Sequence, residues 1–533
     1  MIPVSDAWKD IHQRQILPEG HIEIKCEISE VGVQSLATAS GANEATISDV
    51  SRVVDGNGSS PKYATNELNL WALDGSMSVL PDLDYERSGY VSDISESGSV
   101  TLTLPSVRTV AIPGVTIRWS SVYGECPPVF TVTAKNGGAV VAELTVTDNT
   151  DITSIVELDI VNYDSVTVTV HNWSLPYHRP RIESIALGHI LTLTKKEILR
   201  YQHEHRGDVL SGELPKNSIE FSLNNIDGRW NPANPTGMEK YLSERQKLTV
   251  RYGFNMDDGT IEWIHAGVFY LSEWNAPANG IEARFVARDI FTYLENVHLY
   301  DGVTNGTPLD QFILSVFQHE VLPEDFRYSI DSETLNVNKV GIWSYGRDIT
   351  DYSLAELIQL CANASACVTY QDRNGVLHVD QFDTSISDYL IPISLSYSHP
   401  EIELSKPLRN VVVAVDVDDY TLEVSPKGED QSILNPLISD YYTGAARVAE
   451  LASLVLSTRK KVSGEFRADP RLELFDIVAV ESKYGSLSPV VITNIKYTFG
   501  GSFSATYEGR VLNMEGPMLG MFILGKSVLG EEV

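Results

Sequence analysis

Cysteine is scarce. Cys26, Cys126, Cys361 and Cys367 are the four thiols among 533 residues. So few cannot staple a chain of this length. The six-residue step from Cys361 to Cys367 is not the spacing of a zinc knuckle or a redox pair. All four are expected as buried apolar side chains of a protein folded in a reducing cytoplasm. Long apolar runs are absent as well, which excludes a helical membrane anchor. The opening residues, Met1 to Asp6, show no basic stretch followed by an apolar one, so no secretory leader is expected. Basic side chains are in short supply: 40 against 72 acidic ones leave a net charge of −32. That average field repels a phosphate backbone, so stable nucleic-acid binding is not expected, although an acidic channel could let DNA pass without sticking. Catalytic signatures are missing too. The sequence holds no H-E-x-x-H, no G-x-S-x-G and no paired-cysteine motif. The chain is therefore not expected to be an enzyme, and no cofactor or metal is implied.

What is present is strand chemistry. Val, Ile, Thr, Ser and Tyr fill long stretches, and hydrophobic residues make up 43% of the chain, enough for several cores of mainly β structure with α+β parts. His21 to Ile28 alternates polar and apolar at period two, while residues 37–60 carry loop chemistry. Between 63 and 188, short strands are expected at 100–104, 115–119, 129–134, 139–146, 154–160 and 165–170, with turn residues between them. Regular short strands without helices suggest a β-sandwich of jelly-roll type. Strands continue through 248–254, 268–274 and 281–287. Thr307-Pro308-Leu309-Asp310 then reads as a helix start, and Ser353-Leu354-Ala355-Glu356 as a capping box. A hairpin is expected at 364–370 and 376–381, a helix over 445–457, and closing strands from 477 to 511. The expected division is 1–62, an N-terminal segment; 63–188, an inserted sandwich; 189–300, the first domain continued; 301–400, a helix-plus-hairpin domain; 401–515, a second strand-rich domain with its closing helix; and 516–533, an apolar tail.

Three motifs invite chemistry. Gly520 to Ser527 matches the P-loop pattern G-x-x-x-x-G-K-S. A P-loop needs a helix after it to hold phosphate, and its intervening residues are not usually bulky and apolar as they are here. Nucleotide binding is not expected. His203-Glu204-His205 would put two imidazoles on one strand face, but no third metal ligand is signalled, so a solvated polar face is the expectation. The 63–188 segment is rich in rings, and sugars stack on rings. Trp71, Tyr90, Trp119 and Trp173 are the candidate carbohydrate-binding residues, although for any single ring core packing is the favoured reading and at least half of the four are expected in the core.

Residues 219–294 carry the strongest resemblance to known proteins. IEFSLNNIDGRWNPANPTGMEKYL, LTVRYGF, HAGVFYLSEW and IEARFVARDIFTYLEN resemble the first barrel of phage tail hub proteins. DITDYSLAELIQLCANASACVTYQDRNGVLHVDQF resembles the helix-plus-hairpin element that follows, and AARVAELASLVLSTRKK with ADPRLELFDIVAVES is similar to the closing part. The 63–188 segment resembles a galactose-binding-like insert, through NELNLWALDGSMSVLP, SGYVSD and TVTVHNWSLPYHRPRIESIALG. FILGKSVLG is similar to the ends of some tail proteins. The resemblance implies hub β-barrel domains plus the inserted sandwich, in a baseplate hub at the virion tail tip. It implies a homotrimer whose partners are the tail tube or distal tail protein, spike or fibre proteins and the tape-measure protein. Contact with a host cell-surface glycan through the insert is also implied. Two alternatives stay open. One is a hexameric distal tail ring protein, which should lack the helix–hairpin element near 353–381. The other is a carbohydrate-active enzyme with a binding module.

Overall fold

The computed structural model describes residues 1–14, 19–30, 33–45, 48–55, 89–120, 123–231, 233–234, 237–238, 241–276, 280–299, 306–319, 321–323, 326–340, 349–415 and 418–513. The fold mixes α and β and is dominated by strands, with 49% strand and 15% helix, so packing between sheet faces sets most of the architecture. Two compact units emerge. One comprises Met1–Ile24, Leu193–Gly228 and Leu248–Val533; the other comprises Lys25–Thr192 and Arg229–Lys247.

The first unit is organised by one long sheet. Its strands run in the order Lys247–Asn255, Ile261–Asn275, Glu282–Arg288, Lys216–Asn224, Ile198–Arg206, Leu487–Phe499, Phe503–Val511, Lys460–Arg467 and Glu401–Leu404. The alternation that marked these stretches lines one face with apolar side chains. Strands from the 198–288 stretch and from the C-terminal stretch meet at one antiparallel pair, with His203 opposite Tyr497. The described pairings close neither this sheet nor any other into a barrel.

A helical layer builds a second core in this unit. Helices Leu309–Phe317, Leu354–Ala364 and Gly444–Leu456 bury Phe312, Val316, Leu357, Ile358, Val448 and Ala452 together. The capping box forms as read: Ser353 Oγ accepts from the Glu356 N–H at 3.2 Å, and Glu356 Oε2 accepts from the Ser353 N–H at 2.8 Å. The hairpin Cys367–Gln371 and Val376–Gln381 follows directly. The earlier helix start is corrected by one residue. Pro308 takes the cap position, and no side chain caps it, because a residue that cannot donate an N–H suits that place.

In the second unit a five-stranded sheet runs Thr38–Ala42, Gly98–Arg108, Tyr163–Asn172, Val129–Asn136, Ala139–Val146. A three-stranded sheet, Ser184–Leu187, Ile112–Arg118, Thr153–Ile160, faces it. Both contribute to one core: Val100, Leu102, Val132 and Val168 from the first, Val115, Ile117, Val156 and Ile185 from the second. The stretch expected as loop at 37–60 supplies a strand, Thr38–Ala42, and a 3-10 turn, Val50–Asp55. Small polar residues read as loop, yet Ser40 and Gly41 pair with Thr101 and Val100, so sheet pairing overrode local propensity. All four cysteines are buried and free.

Candidate functional site

The rings chosen from the sequence are mostly core. Trp119 is 0% exposed, lies 4.9 Å from Phe130 between ring centroids, and donates its Nε1–H to Ser154 Oγ at 2.8 Å. Trp173 is 4% exposed and donates to Glu125 Oε2 at 2.6 Å. That carboxylate also meets His178 Nδ1 at 3.0 Å, so the polar ends are satisfied inside. Tyr90 is buried, and its hydroxyl donates to the Ala42 carbonyl at 2.7 Å. A Cβ built on Gly98 would come within 2.6 Å of that hydroxyl, so a side chain there would displace the ring. A stacking ring must offer a face to its ligand, and these three offer none. Trp119 and Trp173 meet edge to face at 6.3 Å, while Tyr90 packs in the same core. Trp71 lies outside the described residues, as does the P-loop-like segment at 520–527.

The outer face of the five-stranded sheet is a better site. SVTLTL, FTVTA and SVTVTV repeat one alternation. Their valines and leucines go to the core, so their hydroxyls go outward. The register aligns them in rows. Ser40, Thr101, Thr167, Thr133 and Glu143 lie opposite one another across five strands. Ser99, Thr169, Thr131 and Thr145 form the next row. Rows of this kind repeat about every 6.7 Å along the strands and about 4.8 Å across them. Thr101 Oγ1 meets Thr167 Oγ1 at 2.9 Å, and Thr131 Oγ1 meets Thr145 Oγ1 at 2.8 Å. Thr131 is 9% exposed and its Oγ1 also meets His171 Nε2 at 2.7 Å, so the open capacity lies with Thr101 and Thr167, whose hydroxyls each carry one donor and two acceptor positions.

One end of this face holds a groove of about 440 Å³. Its floor is Thr101, Thr103, Ser165 and Thr167; residues 104–107 form a wall, and Lys135 and Asp164 complete the lining. The wall arises where pairing slips from Thr103 opposite Ser165 to Arg108 opposite Tyr163. Pro105 falls in that slip, where its missing N–H costs no ladder bond. Asp164 is anchored: its oxygens accept from the Gly137 N–H at 2.6 Å and from Ser165 Oγ at 3.0 Å. The groove offers hydroxyls, one cation and one carboxylate. That set can hold a polyhydroxylated ligand. It has no second carboxylate for glycoside hydrolysis. The signal for it in the sequence was the Thr-x-Thr repeat, which passes for ordinary strand propensity.

The two histidines of Ile198–Arg206 reverse their expectation. They share a face, but it points inward: His203 is 3% and His205 8% exposed. His203 Nε2 meets Asn217 Oδ1 at 2.8 Å and Nδ1 meets the Tyr252 hydroxyl at 2.9 Å, while Tyr201 and Tyr252 hydroxyls pair at 2.8 Å. Burial pushes the His203 imidazole down to about 3 and holds His205 well below its ordinary value. Among the described residues no group of three or more His, Cys, Asp and Glu is placed to hold a metal ion. His378 carries no signal in its sequence neighbourhood. Burial pulls that imidazole down, but Asp372 and Asp380 at 3.6 and 2.7 Å outweigh it and raise it to about 9.

Comparison with known proteins adds structural likeness at low identity. No family description matches the sequence, and no curated protein matches it. The chain is similar to solved tail proteins. A tail protein from Neisseria meningitidis MC58 is 10% identical with a TM-score of 0.42, over 60% of this chain and 93% of that one. Prophage tail protein gp18 from Listeria monocytogenes EGD-e is 13% identical with a TM-score of 0.41, over 62% and 93%. A chain of a native gene transfer agent virion is 11% identical with a TM-score of 0.28, over 81% of each chain.

Proposed function

We propose that the protein is a structural subunit of a phage-type tail tip: a hub that closes the tail tube as a homotrimer and carries spike or fibre proteins. The observation that carries this reading is where the resembling stretches fall. Those read as the first barrel become Lys216–Asn224, Lys247–Asn255, Ile261–Asn275 and Glu282–Arg288, neighbours in one sheet. Those read as the closing part become Gly444–Leu456, Lys460–Arg467 and Ile477–Glu481, and their strands belong to the same sheet. The helix and hairpin between them, Leu354–Ala364 with Cys367–Gln381 as its two strands, are the element a distal tail ring protein should lack. Closed rings need heterologous interfaces whose rotation closes. Imaging of assembled tails with symmetry resolved should count three copies around the axis. Six copies would make it the ring protein, and a monomer that never enters tails would end the proposal.

The groove supports a second element of this reading, contact with host-surface glycan by the second unit. The contact surface is then the threonine face, and Tyr90, Trp119 and Trp173 act as its scaffold. The double variant Thr101→Val, Thr167→Val removes two floor hydroxyls but keeps shape and β-branching. It should lower adhesion of clustered protein to host cell-wall glycans by at least about ten-fold, because many weak sites act together, with the melting temperature nearly unchanged. Unaltered adhesion would remove the groove from the proposal.

A further inference from the structure

The two charged side chains of the threonine groove are unequally committed. Asp164 already receives a donor on each carboxylate oxygen, from the Gly137 N–H and from Ser165 Oγ. Lys135 sits half-buried on Val129–Asn136, and among the described residues it forms neither an ion pair nor a hydrogen bond. It is also the only cation among the described residues that line the groove.

Register explains how Lys135 comes to face the floor. Val132 and Ala134 are buried in the core between the two sheets, so alternation sends residues 133 and 135 outward. Lys135 lies opposite Ser165, and Ser165 lies opposite Thr103. The three form one row across three strands, with Thr101 and Thr167 in the next row. Lys135 therefore stands one strand spacing, about 4.8 Å, from Ser165 and two from Thr103 along the backbone. On the other side, pairing with Ala139–Val146 slips between Ala134 and Lys135. The acid on that strand, Glu143, lies opposite Thr133 and accepts from its hydroxyl at 3.0 Å. Neither carboxylate beside the row is spent on the ammonium.

The unused capacity of the groove is thus one cation beside the hydroxyls of Thr101, Thr103 and Thr167. A neutral sugar meets the hydroxyls but covers the ammonium without pairing it, and covering an unpaired charge is costly. A sugar that carries an anion meets both. The net charge of −32 opposes such a ligand at long range, but fields from charges more than about 8 Å away are screened at physiological salt. A contact inside the groove escapes that screening.

We propose, resting on the reading that the second unit meets host-surface glycan, that the groove takes an acidic polysaccharide. A carboxylate or phosphate of the ligand pairs with Lys135, and its hydroxyls bond to Thr101, Thr103 and Thr167.

Adhesion of the clustered full-length protein tests this on host cell-wall glycans in three forms: untreated, with carboxylates blocked as neutral amides, and with phosphodiesters hydrolysed. One treatment should lower adhesion by at least about ten-fold, since many weak sites act together, and which one it is tells carboxylate from phosphate. Lys135→Gln should lose as much on untreated glycan, lose nothing further on the treated form, and keep its melting temperature. Lys135→Arg should retain adhesion. Lys427→Gln, at an exposed position of the first unit, controls for the loss of one positive charge, and an equal loss there would overturn the proposal. Adhesion that survives both treatments and Lys135→Gln, but not Thr101→Val, Thr167→Val, would mean a neutral ligand: the proposal is overturned and the glycan reading stands. Wild type that adheres to none of the three forms would end the glycan reading and this proposal with it.

Discussion

Replacing Trp119 with alanine should destabilise the second unit by about 3–5 kcal/mol, the cost of deleting a fully buried tryptophan. The ring is 0% exposed and packs against Phe130 and Trp173. Removal opens a cavity where strands of both sheets meet. It also strips a donor from Ser154 Oγ, which keeps Asn149 Oδ1 at 2.9 Å as a partner. The loss is therefore mostly packing. Tyr177→Ala is the control: that ring is 69% exposed, so its removal should move stability by no more than about 0.5 kcal/mol. Denaturant unfolding of both variants, followed by a probe within the second unit, measures the difference. Equal small costs would mean that Trp119 is not seated in the core, and would restore it as a candidate contact residue.

Periodicity made most elements legible, and register made the site illegible. The strand expected at 139–146 is Ala139–Val146, and that at 154–160 is Thr153–Ile160, because alternation and turn residues mark both ends. The capping box at Ser353 was readable because both of its hydrogen bonds lie within four residues. By contrast, the strand Thr38–Ala42 exists only through Gly98–Arg108, some 60 residues away. The threonine rows fall under the same rule. Each Thr-x-Thr is visible alone, but its alignment with two others depends on pairing across distant strands. Sequence could show that the 63–188 segment was rich in rings. It could not show which rings end in a core, since Trp is equally at home stacked on a ligand or packed in a sheet. The inward histidines were missed for a different reason. Polar residues at alternate positions signal a wet face, and here Asn217 and Tyr252 supply to His203 inside what water would supply outside.

Those histidines should make the first unit acid-sensitive. The unfolded chain binds a proton at each histidine below about pH 6.5. In the folded protein His203 stays neutral down to about 3. Because the folded value is the lower one, acid favours the unfolded state, and stability falls as pH drops from 6.5 toward 3. Each such group contributes about 1.4 kcal/mol per pH unit within its window. His205 acts in the same direction, pushed down by burial and then by its stacked neighbour His203. Asp289 opposes them. Burial raises its carboxyl to about 7, so it contributes stability that is present below 3.8 and lost as pH rises through 7. Between pH 4 and 6.5 it offsets about one histidine, and the net slope from the three groups is that of one. Comparing wild type with His203→Gln isolates the term. The variant should be less stable at pH 7, where it loses the fit to Asn217 and Tyr252. The gap should then narrow by about 1.4 kcal/mol per unit as pH falls below 6. Denaturant titrations at pH 4, 5, 6 and 7 read this slope. Parallel curves for the two proteins would mean that His203 is protonated in the folded state and that the inward cluster is open to water.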